Sequence, residues 1–254
     1  MSTAPSDIEA LIPLLDAVDA TPGAAELRAR SYELLGAAPG SLVVDIGCGA
    51  GCAVAELTDL GVRAVGIDLS EQMVAVARHR RPDCDVRLES TYELPFQDGE
   101  VSGYRAEKVF HNLADPTRAM SEARRVLVSG GRIVLLAQDW DTVIIDSSHP
   151  QLTRTIVHAR ADQIEVPRAA RAYRNTLLDA GFQNIHVEAQ MGIFAGPSGH
   201  ILQPMLAGLA DATHKAGAIT EAEADAWLND QRERAQTDRT FIAIPIFIAS
   251  ATAP

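Results

Sequence analysis

Short apolar runs bounded by turn residues alternate along the chain with stretches of helical periodicity. The runs read as strands at Leu42–Ile46, Ala64–Asp68, Val86–Glu89, Gly103–Ala106, Arg132–Ala137, Ile185–Ala189 and Phe241–Ala249. Most are dense in Val, Ile and Leu rather than alternating, which suits strands covered on both faces. Strands separated by helical stretches imply βαβ units and a parallel sheet. The pattern therefore predicts an α/β fold built on a doubly wound sheet.

Helix boundaries carry their own signals. Ser70 is placed to cap a helix over Glu71–Arg80, and Pro82 stops it. Asp115-Pro116 is an N-cap followed by Pro at the first helical position. Ala119, Met120, Ala123 and Leu127 then share one side of that helix. Ser129-Gly130-Gly131 turns the chain into the next strand. Pro167 is expected to open another helix, which Gly181 ends.

Two stretches stand outside this rhythm. Residues 1–40 form a helical cap with patterns at Asp7–Ala20 and Ala24–Leu35. Residues 191–239 interrupt the last two strands and carry two helical patterns, Ile201–Lys215 and Thr220–Gln236. The core is then 41–190, and 240–254 supplies the final strand. An insertion of this size between strands reads equally as a lid or as a helical layer that only covers the sheet.

Composition narrows the class. The chain has 254 residues, 47% of them apolar, enough for one large domain with a modest lid. No apolar run approaches the roughly 18 residues that cross a bilayer. Met1–Asp7 is polar and lacks the basic-then-apolar order of a secretion signal. Three cysteines, Cys48, Cys52 and Cys84, show no metal-like clustering and read as reduced thiols. A cytoplasmic protein is expected. The net charge of −12, without a Lys/Arg block, argues against a nucleic-acid partner. His149, His158 and His200 lack ligand spacing, so no metal is expected.

The most informative segment is Val43-Val44-Asp45-Ile46-Gly47-Cys48-Gly49-Ala50-Gly51. A buried strand runs into three alternating glycines and then a helix. Such glycines permit unusual backbone angles and let a ligand approach the main chain. The loop lies at the carboxyl end of a strand, where doubly wound sheets bind ligands. Dinucleotide folds place the third glycine one residue later; here that position is Cys52. Ala64–Asp68 is a second strand ending in an acid, 17 residues after Gly51. An acid there can accept both hydroxyls of a ribose. A tight surface turn and a solvated Asp would be the plain alternatives.

Four segments in order over Ser41–Ala137 resemble the class I S-adenosylmethionine (SAM) methyltransferases. They are Val43–Gly51, Val65-Gly66-Ile67-Asp68-Leu69-Ser70-Glu71-Gln72-Met73, Leu94-Pro95-Phe96-Gln97-Asp98-Gly99, and Arg124-Arg125-Val126-Leu127 with Gly130-Gly131-Arg132. The set is similar to the methyltransferases of ubiquinone and menaquinone biosynthesis and of natural-product tailoring. The resemblance implies a Rossmann-like seven-stranded doubly wound sheet with the last strand antiparallel. It implies SAM as cofactor and a small-molecule substrate. Gly47, Cys48 and Gly49 would face the methionine part, Asp45 its ammonium, and Asp68 the ribose. Leu69 and Met73 would lie against adenine, with Ser90 and Thr91 where the family often has Asp-Ala. The N-terminal segment, with Arg28, Arg30 and Tyr32, would cover the site, and Arg30 would reach the SAM carboxylate. Glu107, at the tip of the fourth strand, joins the cofactor set.

Methyl transfer is an in-line displacement in which orientation does most of the work. A base is required only for a nucleophile with a firmly held proton. His111, with a suitable intrinsic pKa, and Asp139 are the candidates, and Trp140 could stack on a flat acceptor. Loop-capping or packing roles are equally open for these residues. The insertion's Phe194, His200, Met205, His214 and Trp227 suit an aromatic or hydrophobic acceptor. Self-association through the insertion stays open. The competing readings are non-methylating chemistry around bound SAM, an NAD-dependent oxidoreductase, and a non-enzymatic scaffold.

Overall fold

The computed structural model describes residues 5–254, with side chains from residue 12 onward. Part of the polar opening Met1–Asp7 lies outside the described residues. Two helices, α1 (Pro5–Asp19) and α2 (Pro22–Leu35), precede β1 (Leu42–Ile46). Then follow α3 (Cys52–Asp59), β2 (Arg63–Asp68), α4 (Glu71–Arg80), β3 (Asp85–Leu88) and β4 (Val101–Glu107). The second half holds α5 (Pro116–Val126), β5 (Leu127–Gln138), the short β6 (Ile144–Ile145), α6 (Pro150–Ala161) and α7 (Ala169–Asp179). It ends with β7 (Gln183–Ala195), α8 (Gln203–Lys215), α9 (Glu221–Gln236) and β8 (Phe241–Thr252).

The strands run in the order β3-β2-β1-β4-β5-β8, with β7 on the far side of β8. The pairs from β3 to β5 are parallel, and β8 runs antiparallel to both β5 and β7. Seven principal strands thus form the expected doubly wound sheet, with its last strand reversed. The two-residue β6 adds an eighth beside β8.

Local chemistry accounts for the boundaries. Ser70 caps α4 by accepting from the Met73 N–H at 3.3 Å. Asp115 caps α5 by accepting from Arg118 N–H at 3.0 Å, with Pro116 next in the chain. Gly181, at φ +81°, ends the α7 region in a conformation that favours glycine. Pro167, however, precedes α7 by two residues rather than opening it.

Alternate strand residues feed two cores. Val44, Ile46, Ile67, Tyr104, Ile133 and Leu135 pack under α5 and α7. Val43, Ala64, Val86, Val134 and Leu136 pack under α2, α3 and α4. Near-complete burial on both faces explains the dense apolar runs.

Strand β7 continues to Ala195, so the insertion begins at Gly196 rather than Met191. The expected Ile185–Ala189 strand lies within β7, and burial alternates along its upper half, whose outward residues hid the extension to Ala195. Gln138, the last residue of β5, faces Ile246; the β7–β8 ribbon runs on past it, pairing Met191–Ala195 with Phe241–Pro245. The insertion is therefore carried above the carboxyl ends of the parallel strands. There α8 and α9 join α6 and β6 in a third core around Ile156, Leu206 and Trp227. Trp227 and its neighbours fill this core instead of lining an acceptor pocket. Helix α1 touches the Gly196–Leu202 segment, and its Asp16 pairs with Arg80 of α4 at 2.7 Å. The cap and the insertion thus meet over the same edge of the sheet.

Trp227 is fully buried and donates to Thr153 Oγ1 at 2.9 Å. Trp227→Ala should cost about 3–5 kcal/mol, mainly through the cavity it leaves, since the Thr153 hydroxyl still donates to His149 O. Because this core is separate, limited proteolysis should cut residues 196–239 before the sheet domain. Uniform digestion of the whole chain would show that the insertion does not form its own cooperative unit.

Candidate functional site

The β1–α3 turn presents Gly47, Gly49 and Gly51 at φ +62°, +53° and +83°. Gly47 is also excluded from having a side chain: a Cβ there would lie 2.5 Å from Val109 Cγ2. Cys48 N–H donates to Ile67 O at 3.1 Å, drawing the loop onto the tip of β2. Asp68 closes that contact. Its Oδ2 accepts from Gly49 N–H and its Oδ1 from Ser70 N–H, each at 2.8 Å. An ionised carboxylate has about four acceptor positions, so Asp68 is held by main chain while keeping capacity for two more donors. Burial pushes the Cys48 thiol up, with Asp45 and Asp68 adding to the shift, so it is no thiolate.

The residues named for adenine divide. Leu69 is 66% exposed beside Asp68, whereas Met73 is buried on α4. Ser90 Oγ accepts from the Tyr92 N–H at 3.2 Å. Thr91 is turned into the core, its hydroxyl 3.4 Å from that of Tyr104, and does not face the crevice.

Under the loop lies a charge network that sequence reasoning missed. Asp45 and Arg105 are paired directly across β1 and β4. Arg105 is 1% exposed and donates to Asp45 Oδ1 at 2.7 Å, Glu107 Oε2 at 2.5 Å and Ser31 Oγ at 2.9 Å. Its guanidinium carbon also lies 5.6 Å from the centre of the Tyr32 ring. Asp45 is therefore spoken for by Arg105 and is not presented to a ligand as the motif suggested. Glu107 remains half-buried at the β4 tip and pairs with Lys108 Nζ at 3.0 Å. Burial would raise the Glu107 carboxyl, but Lys108 and Arg105 outweigh it and hold it at about 2. Lys108 adopts φ +58°, unusual for a residue with a side chain.

Helix α2 adds a second cluster. Arg28 pairs with Glu56 at 2.8 Å, and Tyr32 donates to Glu56 at 2.7 Å. Arg28 also donates to Asp19 O at 3.1 Å, tying the end of α1 to α2. Arg30 departs from expectation. It pairs with Glu188 of β7 at 2.7 Å and with Glu33 at 2.9 Å, and so braces the cap against the sheet edge.

At the tips of β4 and β5 the two proposed bases lose that role. Asp139 is fully buried, caps the following turn through Asp141 N–H, and is clamped by Arg171 with a 2.6 Å Nη2–Oδ1 bond. His111 is 5% exposed, and its Nδ1 has no hydrogen-bond partner among the described residues. Burial, then the charges of Lys108 and Arg160, push its pKa down to about 4. The ring meets Trp140 edge-on at 5.7 Å, and Arg160 lies 5.5 Å from the centre of the Trp140 ring. Among the described residues no group of His, Cys, Asp and Glu could hold a metal ion, and no helix is long and apolar enough to cross a membrane.

Known proteins resemble the chain in part of its sequence and in its fold. Residues 44–135 match the family model of the methyltransferase domain. The demethylmenaquinone methyltransferase of Beutenbergia cavernae is 36% identical over 108 residues, covering 42% of this chain and 45% of that protein. The chain spans about half the length of the curated relatives it matches first. The Haemonchus contortus phosphoethanolamine N-methyltransferase 2, solved with S-adenosylhomocysteine, superposes with TM-score 0.59 at 16% identity, over 92% of this chain and 54% of that one. The cyclase SpnF superposes with TM-score 0.61 at 19% identity, over 96% and 93%. At such identities these structures establish the shared fold.

The depressed His111 pKa makes stability depend on pH. Unfolded, the imidazole titrates at about 6.5; folded, it titrates at about 4. Between those values the unfolded chain binds more protons, so stability is full above 6.5 and falls as pH drops toward 4. The loss should reach on the order of 3 kcal/mol by pH 4, from the shift to about 4. Glu107 contributes separately, between its ordinary value and about 2. Urea unfolding above and below pH 6 should show the His111 slope, and His111→Asn should flatten it. An unchanged slope in the variant would place the titration elsewhere.

Proposed function

We propose that this chain is a class I SAM-dependent methyltransferase and that it moves a methyl group from SAM to a small, flat metabolite of aromatic or quinone type. The observation that carries this reading is Asp68. A carboxylate at the tip of β2 is fixed by the main chain of the glycine loop yet keeps acceptor capacity toward two hydroxyls. SAM, when bound, supplies an electrophilic methyl group on a sulfonium.

The chain's own residues do the rest. Asp68 accepts the ribose hydroxyls, and Leu69 lies open beside it for the base. The main chain at Gly47, Cys48 and Gly49 follows the amino-acid part, and Glu107 accepts from its ammonium. The charge beneath the loop suits a cation. Asp19, Asp45, Glu56 and Glu107 stand against only Arg28, Arg105 and Lys108. One carboxylate is in excess, which favours a ligand of net positive charge.

The acceptor end shapes the mechanism. His111 titrates too low to take a proton efficiently near neutrality. Asp139 is locked to Arg171. The reaction therefore runs on an acceptor that arrives as a good nucleophile, and the enzyme's contribution is orientation and exclusion of water. The cap and the insertion, which meet above the strand tips, provide that exclusion.

Calorimetry should show micromolar binding of S-adenosylhomocysteine, and turnover should release it one for one with methylated product. Asp68→Ala should weaken that binding by roughly 1.5–3 kcal/mol, about 10- to 150-fold, because hydrogen bonds to a charged acceptor are lost. Unchanged affinity would remove Asp68 from the site. Product formed without consumption of SAM would assign the chain to non-methylating chemistry on the same cofactor.

A further inference from the structure

The basic side chains that flank the β4 and β5 turns are paired with carboxylates, except Arg160. Arg168 pairs with Asp141, and Arg171 with Asp139 and Asp141. Lys108 pairs with Glu107. Arg160, in the last turn of α6, has no carboxylate partner and no side-chain hydrogen bond among the described residues. It is partly buried, stacked on Trp140, and close enough to His111 to lower its pKa. Burial alone acts on its own pKa, and lowers it.

A guanidinium taken partly out of water without an anion is unfavourable, and folded proteins leave few such groups. Its neighbours are unsatisfied as well. Among the described residues His111 Nδ1 and Trp140 Nε1 are buried polar atoms without partners, and Gln138 Oε1, at the end of β5, is a third. All three belong to the ends of β4 and β5 or the turns that follow them. Such a cluster of unmet polar atoms beside an uncompensated cation marks a place completed by a ligand.

Resting on the methyl-transfer reading above, we propose that the methyl acceptor is an anionic planar molecule whose carboxylate or ionised ring oxygen pairs with Arg160. The ring lies against Trp140 and the edge of His111, and the polar atoms of that cluster complete its hydrogen bonds. Arginine suits this role because its planar fork binds an oxyanion in bidentate fashion while its face stacks on an aromatic ring. An anionic acceptor also explains the absence of a base at the site. The oxyanion held by Arg160 is itself the nucleophile: its oxygen forms the bond to the methyl group as the C–S bond of the sulfonium breaks and neutral S-adenosylhomocysteine leaves. No proton has to be removed, and a neutral His111 avoids adding a third positive charge beside Arg160 and Lys108. The crevice is then split by charge, with excess carboxylate under the cofactor and excess cation under the acceptor.

The test uses the full chain saturated with S-adenosylhomocysteine. Hydroxybenzoates and hydroxynaphthoates are titrated beside their uncharged amides, with binding read by calorimetry. Wild-type protein should bind at least one carboxylate of the panel tenfold or more tightly than its amide. Arg160→Gln should erase that ratio, and Arg160→Lys should restore part of it. Thermal unfolding separates this role from a structural one: Arg160→Gln should leave the midpoint unchanged or raise it, since an uncompensated cation is removed. A lowered midpoint, an equal preference for acid and amide in wild type, an undiminished preference in Arg160→Gln, or no carboxylate bound at all would each overturn the proposal. Those results leave the methyl-transfer reading standing as long as S-adenosylhomocysteine binds. Failure of that binding in the same experiment would count against the methyl-transfer reading itself.

Discussion

A buried arginine bridging the tips of two neighbouring strands sets the geometry on which the site depends. Arg105 lies opposite Asp45 in the β1–β4 pairing and reaches Glu107 two residues further along its own strand. An isolated charge in this position would cost several kcal/mol. Here every direction is answered: two carboxylates, the Ser31 hydroxyl and the face of Tyr32 surround the guanidinium. The bridge fixes β1 where it turns into the glycine loop and β4 where it releases Lys108 and Val109. Those are the segments that crowd each other, since Val109 leaves no room for a Cβ at Gly47. Helix α2 is held to the same bridge through Ser31 and Tyr32, so the cap is placed by the charges that shape the cofactor side.

From that bridge the electrostatics run outward in two directions. Toward β2, carboxylates dominate: Glu107, Asp45 and, at the next strand tip, Asp68. Toward β5, cations dominate. Burial, with Lys108 and Arg160 beside it, keeps His111 neutral, while Arg168 and Arg171 neutralise the acids of the β5 turn. A sulfonium on one side and an anionic acceptor on the other would meet where the two halves join. Their opposite charges then assist the encounter and fade as the methyl group moves.

Much of this fold was legible in the sequence, for identifiable reasons. Strands buried on both faces leave dense Val/Ile/Leu runs, and β1 and α4 lie where the sequence placed them. The glycines at positive φ and the Asp ending the next strand were also legible, and the structure brings them together. What escaped shares one cause, dependence on contacts distant in sequence. Arg105 looked like an ordinary residue in a strand until its partner across the sheet was visible. An arginine within a run otherwise destined for the core was the available signal. Asp45, Asp139 and Arg30 have the residue types a site would use, but Arg105, Arg171 and Glu188 claim them first. The upper half of β7 alternates in burial and read as the start of the insertion, and α6 was not recognised at all. Arg160 carries no local signal, because its significance is the absence of a partner.

If Arg105 positions the loop and strand tips proposed to hold the cofactor, a double-mutant cycle reads it most directly. Urea unfolding and S-adenosylhomocysteine affinity would be measured for Arg105→Met, Asp45→Leu and the pair together. Arg105→Met leaves the buried Asp45 carboxylate unanswered and should cost about 3–5 kcal/mol, with cofactor affinity falling in step. Asp45→Leu should cost less, because Glu107 still answers Arg105. The double variant should recover much of the stability but not the affinity, because an apolar pair no longer holds Glu107 and the loop. Single variants that keep both stability and affinity would contradict the account.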